Sequence, residues 1–395
     1  MQTKFLIAGI IFFLLLTGAG ILVYMDLHEK TAGAAKNPKE TSSSSKSSSS
    51  GSSGSSTSGS GRNVHAGEEF PPIYVSIVTH IEEPPGNPDY VNSEETFWKD
   101  RNGLVSFADM LAEENVKYNF ESDWNLLLAA TKYDTETDST NGKNFLRYLK
   151  EDLSFEVDPH AHEKKYNYAD VAYLIKQLGV TPSFIAGGFI ASPAEDAKVE
   201  YFQNTLQGIR YPSYSWKAEI LWGGGTGGHE NEESFWVSGI WKPKDNENFL
   251  VDDPRAPLPE IGNYGNNWDG LDELLELQKE GKLTQGKIYT IAIFTTRNDF
   301  SAAKINEFKD KIESHKTDTD AGRIKWVGLQ ELYDLWLNEY NAESNQLFYT
   351  DVHPTTSTST TAASASTTSG TKANCGDGIC DAVEKRVGAC PADCS

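Results

Sequence analysis

The chain has 395 residues, of which 38% are hydrophobic and 23% charged, and it carries a formal net charge of -22 at pH 7. That acidity argues against a nucleic-acid partner, because phosphate binding needs a basic surface; it says little about fold. The length admits one large domain or two smaller ones, and the low apolar fraction traces to low-complexity segments outside the foldable part.

Residues 5–24 (FLIAGIIFFLLLTGAGILVY) contain no charge, and a run of about 20 apolar residues spans a bilayer core. Lys4 precedes the run while Asp26 and Glu29 follow it, so positive charge stays inside and the bulk of the chain lies outside. Residues 1–27 therefore read as a transmembrane helix. The alternative is a cleaved signal peptide, with Ala32-Gly33-Ala34-Ala35 as its cleavage site, although a signal core is usually only ~7–15 residues. Residues 28–67 form a Ser/Gly-rich tether and residues 351–373 a Thr/Ser-rich linker. Between them, residues 68–350 have ordinary globular composition. Residues 374–395 hold all four cysteines, Cys375, Cys380, Cys390 and Cys394.

Within the globular block, the β-branched run at 73–78 predicts a buried strand. It turns polar at His80, Glu82 and Glu83 before Pro84-Pro85-Gly86 ends it. A helix is expected over 106–115, a short strand over 116–120, and helices over 124–133 and 144–151. A strand at 153–157 feeds the run Asp158-Pro159-His160-Ala161-His162. An amphipathic helix follows at 168–178, with Gly179 as its cap. Strands at 182–186 and 218–221 come next, the latter leading into Trp222-Gly223-Gly224-Gly225-Thr226-Gly227-Gly228-His229. Helices at 271–280, 301–316 and 330–340 alternate with strands at 287–294 and 324–327. This alternation predicts an α/β fold with a parallel sheet closed, or nearly closed, by helices.

Side chains two apart in a strand point the same way, so Asp158, His160 and His162 converge if strand geometry survives past Pro159. Two imidazoles and a carboxylate with an open position make a common hydrolytic metal site. The chain has only 8 His, which sets this pairing apart from a solvated polar turn. His80 and Glu82 share parity at the carboxyl end of the first strand, where barrels of parallel strands collect their chemistry; a hydrogen-bonded structural histidine is the competing reading. The Gly-rich loop has no Lys and so is no phosphate-binding P-loop. His229 at its end is a candidate general acid, or else part of a surface turn. Tyr211, Trp222 and Trp268 are candidates for stacking on sugar rings, against the ordinary role of aromatics as core. His315 reads as a surface histidine. The four cysteines read as two disulfides, with a zinc site as the alternative. Asp377, Asp381, Glu384 and Asp393 offer oxygen ligands for calcium.

Taken in order, these motifs resemble the polysaccharide deacetylase (NodB-homology) superfamily over roughly residues 70–340. The acid groups after the first strand, the two-His cluster after the third, Arg210-Tyr211-Pro212, and Ile324-Lys325-Trp326-Val327-Gly328-Leu329-Gln330-Glu331-Leu332 carry the resemblance. The family usually has Thr-Phe-Asp-Asp-Gly where this chain has Thr79-His80-Ile81-Glu82-Glu83, and spaces its second-motif histidines by four. Its late strand usually ends in a His, where this chain has Thr295-Thr296-Arg297. The resemblance implies a distorted (β/α)7 barrel of NodB-like type with a divalent metal, usually zinc. It further implies a metal held by His160, His162 and an acid, Asp158 or Glu82, with Glu82 or Glu83 as the base and Arg210 as the support of that base; His80 is a further candidate ligand, and His229 the candidate for the acid that the late strand lacks. The expected activity is removal of acetyl groups from cell-surface or extracellular polysaccharide by an exported, membrane-tethered enzyme. The C-terminal segment resembles a short cysteine-rich module at the ends of exported archaeal and bacterial proteins. Two other readings stay open: glycoside hydrolysis by paired carboxylates on a related barrel, and a non-catalytic carbohydrate-binding or adhesion protein.

Overall fold

The computed structural model describes residues 70–135, 137–162, 165–191, 198–223 and 233–353. The expected membrane segment, the tether, His229, nearly all of the second linker and the cysteine module with its calcium candidates lie outside the described residues. Among the described residues, no helix is long and apolar enough to cross a membrane.

Strand β1 (Ile73–Ile81) is followed by α1 (Glu94–Glu113), β2 (Tyr118–Ser122), α2 (Trp124–Tyr133), β3 (Glu156–Pro159), α3 (Tyr168–Gln177) and β4 (Ile185–Phe189). A small ladder of β5 (Leu206–Gln207) and β6 (Ser215–Trp216) precedes β7 (Ile220–Gly223), β8 (Val237–Trp241) and β9 (Glu260–Ile261). The chain then alternates through α4 (Trp268–Lys279), β10 (Tyr289–Thr295), α5 (Ala302–Ser314), β11 (Ile324–Trp326), α6 (Leu329–Asn338) and β12 (Asn345–Phe348).

Several expected elements shift for local reasons. Helix α1 begins twelve residues before position 106 (106 − 94 = 12), at the N-cap Ser93, whose side chain accepts from the Thr96 amide. Gly103 argues against a helix on propensity alone. Here a Cβ at Gly103 would stand 2.7 Å from Phe300 Cβ, so the glycine permits close packing on the 297–300 turn. Helix α2 has the expected bounds, with Asp123 capping the Trp124 amide. The expected helix at 144–151 is a short α turn, Phe145–Arg147, followed by a π turn, Tyr148–Asp152. Strands β8, β9 and β12 were not expected; two of them are only two and four residues long.

One sheet runs β10-β1-β2-β3, all parallel, with β11 beside the first residues of β1. The other runs β12-β8-β9-β7-β4, in which β4, β7 and β9 are parallel and β8 is antiparallel to its neighbours. The sheets meet at both edges. His160, just past β3, bridges in parallel to Gly187 of β4. At the other edge, the Gly239 amide donates to Thr290 Oγ1 (2.8 Å), and that hydroxyl donates to the Gly262 carbonyl (2.6 Å). The Thr290 amide donates to Ser238 Oγ (2.9 Å), and the Ala292 amide to the Asn263 carbonyl (3.3 Å). The result is a mixed α/β, barrel-like arrangement of mainly parallel strands. Tyr74, Val78, Ile185, Ile220, Trp222, Ile240, Ile261 and Ala292 pack together between the sheets, with Leu332 and Trp336 of α6 against them. A larger apolar layer joins the outer strand faces to the surrounding helices.

The Thr290 hydroxyl therefore serves two backbone groups of the facing sheet, one on β8 and one just past β9. Thr290→Val keeps the shape but strands them, and an unsatisfied buried polar group costs about 1–3 kcal/mol. Urea denaturation should show a loss of that size with an unchanged m-value. A loss within about 0.5 kcal/mol, typical of an inconsequential surface change, would mean that the seam does not depend on this hydroxyl.

Candidate metal centre

The ladder registers place His80 beside Glu121, and Glu121 beside Asp158. Register partners in parallel strands face the same side, so the three point inward together. His160 lies one residue past β3 and is held there by its bridge to Gly187. Ligand atoms from His80, Glu121 and His160 all lie within 4.8 Å of one another, and all three residues are buried. Glu82, His160 and His162 form a second, overlapping group. The His80 and His160 rings are 3.7 Å apart between centroids. The Nε2 atoms of His160 and His162 are 3.1 Å apart. Glu82 Oε1 stands 4.0 Å from His80 Nε2 and 3.9 Å from His162 Nε2.

Two glycines make room for this cluster. A Cβ at Gly187 would sit 2.4 Å from Glu121 Oε1, and one at Gly188 would sit 2.4 Å from His160 Nδ1 and 2.8 Å from His80 Cε1. Gly188 also has φ +67°, a conformation that side chains rarely adopt.

The His160 tautomer is fixed. Its Nδ1 lies 2.8 Å from the Gly187 carbonyl, which can only accept, so Nδ1 carries the proton and Nε2 presents a lone pair. A backbone carbonyl on the far nitrogen is the usual support of a metal-ligating histidine. Both nitrogens of His80 and both carboxylate oxygens of Glu121 are buried without a hydrogen-bond partner. Native proteins rarely leave such groups unpaired unless they hold an ion or serve in catalysis. Burial, then the nearby His162, lowers His80 to a pKa of about 3. Burial, then His80 and His162, lowers His160 well below the ordinary value despite its bond to Gly187. Burial, then Asp158, raises Glu121 well above the carboxylate range. Neutral imidazoles and a carboxyl lacking a counter-charge fit a divalent cation.

Beside the cluster is a cavity of about 230 Å³ lined by His80, Glu82, Gly86, Asn87, Phe294, Thr296, Arg297 and Asn298. Glu82 and His162 are about a third exposed (36% and 35%), so water reaches both.

The structure thus brings together His80, Glu82, His160 and His162, and adds Glu121. Asp158 stays outside both groups: it is fully buried and accepts from Asn119 Nδ2 at 2.7 Å. Glu83 accepts from the Trp124 indole rather than facing the cluster. Arg210 is exposed; its Nε donates to the Lys165 carbonyl (3.1 Å), and among the described residues it forms no ion pair with Glu82 or Glu83. What fixes its loop is Asp170, which accepts from the amides of Ile209, Arg210 and Tyr211. Tyr211 is half-buried against Tyr173, with ring centroids 4.3 Å apart. Trp222 lies wholly inside the barrel-like core, 1% exposed, which leaves no face for an external sugar. Trp268 packs against Phe308 and stacks on His315, so both read as packing residues; His315 is buried rather than on the surface. Glu121 escaped the sequence reading because the expected strand stopped one residue short of it. The inward alternation Asn119, Glu121 was the available signal.

No protein-family model and no curated protein matches the sequence. Among solved structures, the fold is similar to a candidate glycoside hydrolase/deacetylase from Parabacteroides distasonis, at 12% identity, covering 68% of this chain and 71% of that one, with a TM-score of 0.41. Puue allantoinase gives 10%, 67%, 90% and 0.39 for the same quantities. A 4-alpha-glucanotransferase from Thermococcus litoralis gives 12% identity over 66% of this chain, a TM-score of 0.38, and a match spanning only 38% of that longer chain. At these scores the likenesses carry no argument about activity, which rests on the residues themselves.

Two measurements probe the site. Gly142 has φ +74° with nothing near a Cβ, whereas Gly188 has φ +67° with two imidazoles in the way. Gly142→Ala should cost about 1 kcal/mol of backbone strain, while Gly188→Ala should cost more and also weaken divalent-metal uptake by isothermal titration; equal effects would deny that Gly188 shapes the cluster. The second concerns Asp158, which burial and then Glu156 raise from 3.8 to a pKa of about 7. A raised acid destabilises the folded state as pH climbs from about 3.8 through 7. With chelator present, Asp158→Asn should raise the melting temperature relative to the parent above pH 7, and the gain should vanish below pH 4. A gain independent of pH would contradict the assignment.

Proposed function

We propose that this chain is a metal-dependent hydrolase that removes acyl groups, most simply acetyl, from a polysaccharide, on a distorted (β/α)7 barrel of the NodB type. The observation that carries this reading is the convergence of buried His80, Glu121 and His160, the first two with no hydrogen-bond partner, at the carboxyl ends of parallel strands beside a polar cavity. The glycan class comes from the sequence resemblance. Export and membrane anchoring rest on the apolar run at 5–24 and remain part of the proposal.

His80, His160 and Glu121 would hold the metal, with zinc the best match to their donor set. Bound there, a divalent metal supplies Lewis acidity toward an acyl carbonyl and makes water a better nucleophile at neutral pH. Glu82 lines the cavity and is water-accessible, so it is the group placed to take a proton from attacking water. His162, 3.9 Å from Glu82 Oε1, is placed to return a proton to the leaving group. The Gly187 carbonyl keeps His160 in the tautomer that presents Nε2.

Elemental analysis of the purified, zinc-supplemented protein tests the site. The parent should carry one equivalent of metal; His80→Ala and Glu121→Gln should each lose most of it. Glu82→Gln should keep its metal yet release acetate from acetylated xylan roughly 10²–10⁴-fold more slowly. A parent without stoichiometric metal, or a Glu82→Gln variant of full activity, would sink the reading.

A further inference from the structure

We infer that the cavity beside the metal centre recognises a carboxylate on the glycan through Arg297, which makes an acidic, uronic-acid-bearing polysaccharide the substrate class. This rests on the glycan reading above and deepens it.

Arg297 lines the same cavity as His80 and Glu82. It follows β10 by two residues, and Phe294 of β10 packs edge-on to His80 at 5.8 Å between centroids. Arg297 is the one arginine or lysine among the described lining residues. Its anchor is built rather than incidental. Asp100, 5% exposed, accepts from Arg297 Nε at 2.7 Å, and its same Oδ2 accepts from the Tyr90 hydroxyl at 2.9 Å. A guanidinium has five N–H donors in a fixed fork. Asp100 takes its Nε and the Tyr90 hydroxyl also faces the guanidinium, so the remaining N–H donors of the fork are the ones offered to a second carboxylate, the group that arginine favours. Thr296, Asn298 and Asn87 add neutral polar groups around the same space.

The overall charge of -22 works against a polyanion in general. Such a surface repels a polyanion at long range, so an acidic chain can be selected only by a short-range contact inside the cavity. The competing account is that the Asp100–Arg297 pair merely ties the 297–300 turn to α1. A tie of that kind affects folding and does not distinguish a free acid from its ester.

The test is calorimetric binding of trigalacturonate and of its fully methyl-esterified form to the zinc-loaded full chain. Neither probe carries an acetyl group, so the outcome is independent of turnover. The parent should bind the free acid at least about tenfold more tightly, as one charge-assisted bidentate contact implies. Arg297→Gln should abolish that preference, and Arg297→Lys, which keeps the charge without the fork, should retain only part of it. Melting curves verify that both variants fold. Equal affinity of the parent for the two probes, no binding of the free acid, or a preference that survives in Arg297→Gln would each overturn the inference. Acid preference without acetate release from any substrate would spare this site and remove the hydrolase reading; acetate release without acid preference would do the reverse.

Discussion

Four donor atoms, Nδ1 and Nε2 of His80 and the two oxygens of Glu121, are buried with no hydrogen-bond partner. Most of what is unusual in the upper half of this domain follows from that constraint. Burying a polar group without a partner is unfavourable by about 1–3 kcal/mol, and a fold does not accumulate such groups side by side by chance. The neighbouring backbone is arranged to permit them. Two successive glycines stand where any side chain would collide with Glu121, His160 or His80. The single bridge between His160 and Gly187 both closes one seam of the sheets and sets the imidazole's proton. Structure and site thus share the same few atoms at this edge.

The inward carboxylates of β2 and β3 occupy two levels of the ladder, and each is satisfied differently. At the lowest level Glu156 accepts from the amide of Gln330 (2.8 Å), in the first turn of α6, where the helix dipole favours an anion. Asn119 ties that level to the next, its Nδ2 reaching Glu156 at 2.8 Å and Asp158 at 2.7 Å, while its Oδ1 accepts from the Leu329 amide. Glu121, level with Asp158, has none of these supports. Burial raises the pKa of all three, and only Glu121 lacks a donor. A cation beside Glu121 would complete the series.

Much of the scaffold was legible in the sequence because its signals are local. The β-branched run of β1, the capped helix α2 and the Asn167-capped helix α3 follow from residues within a few positions of one another. The pairing of His160 with His162 was legible for the same reason. Glu121 was not, because its meaning depends on the register of β2 against β1, forty-one residues from His80 in sequence (121 − 80 = 41). Aromatic residues mislead in the opposite way. Composition says that Trp222 and Trp268 are large and apolar, not which side of a strand or helix they occupy. The structure sends one into the core and the other against α5. Arg210 drew attention as part of a motif, yet its loop is held by its backbone amides on Asp170, a contact that any residue could make.

The late strand raises the question of which group supplies a proton, because β10 ends in Thr295-Thr296-Arg297 with no histidine. Thr295 is committed to Thr79 through a hydroxyl–hydroxyl bond, and Arg297 is committed to Asp100. His162 is the remaining imidazole at the rim, and it appears in one of the two overlapping ligand groups. It cannot act as both ligand and proton donor at once. Burial decides between the roles. His80, Glu121 and His160 are 3%, 0% and 2% exposed and have no access to water in place of a metal. Glu82 and His162, about a third exposed, are satisfied by solvent without one. On the proposed reading, the dry group takes the cation and the wet pair exchanges protons. That division of labour would give the site a base, an acid and a metal shell from three strand ends, without the late-strand histidine.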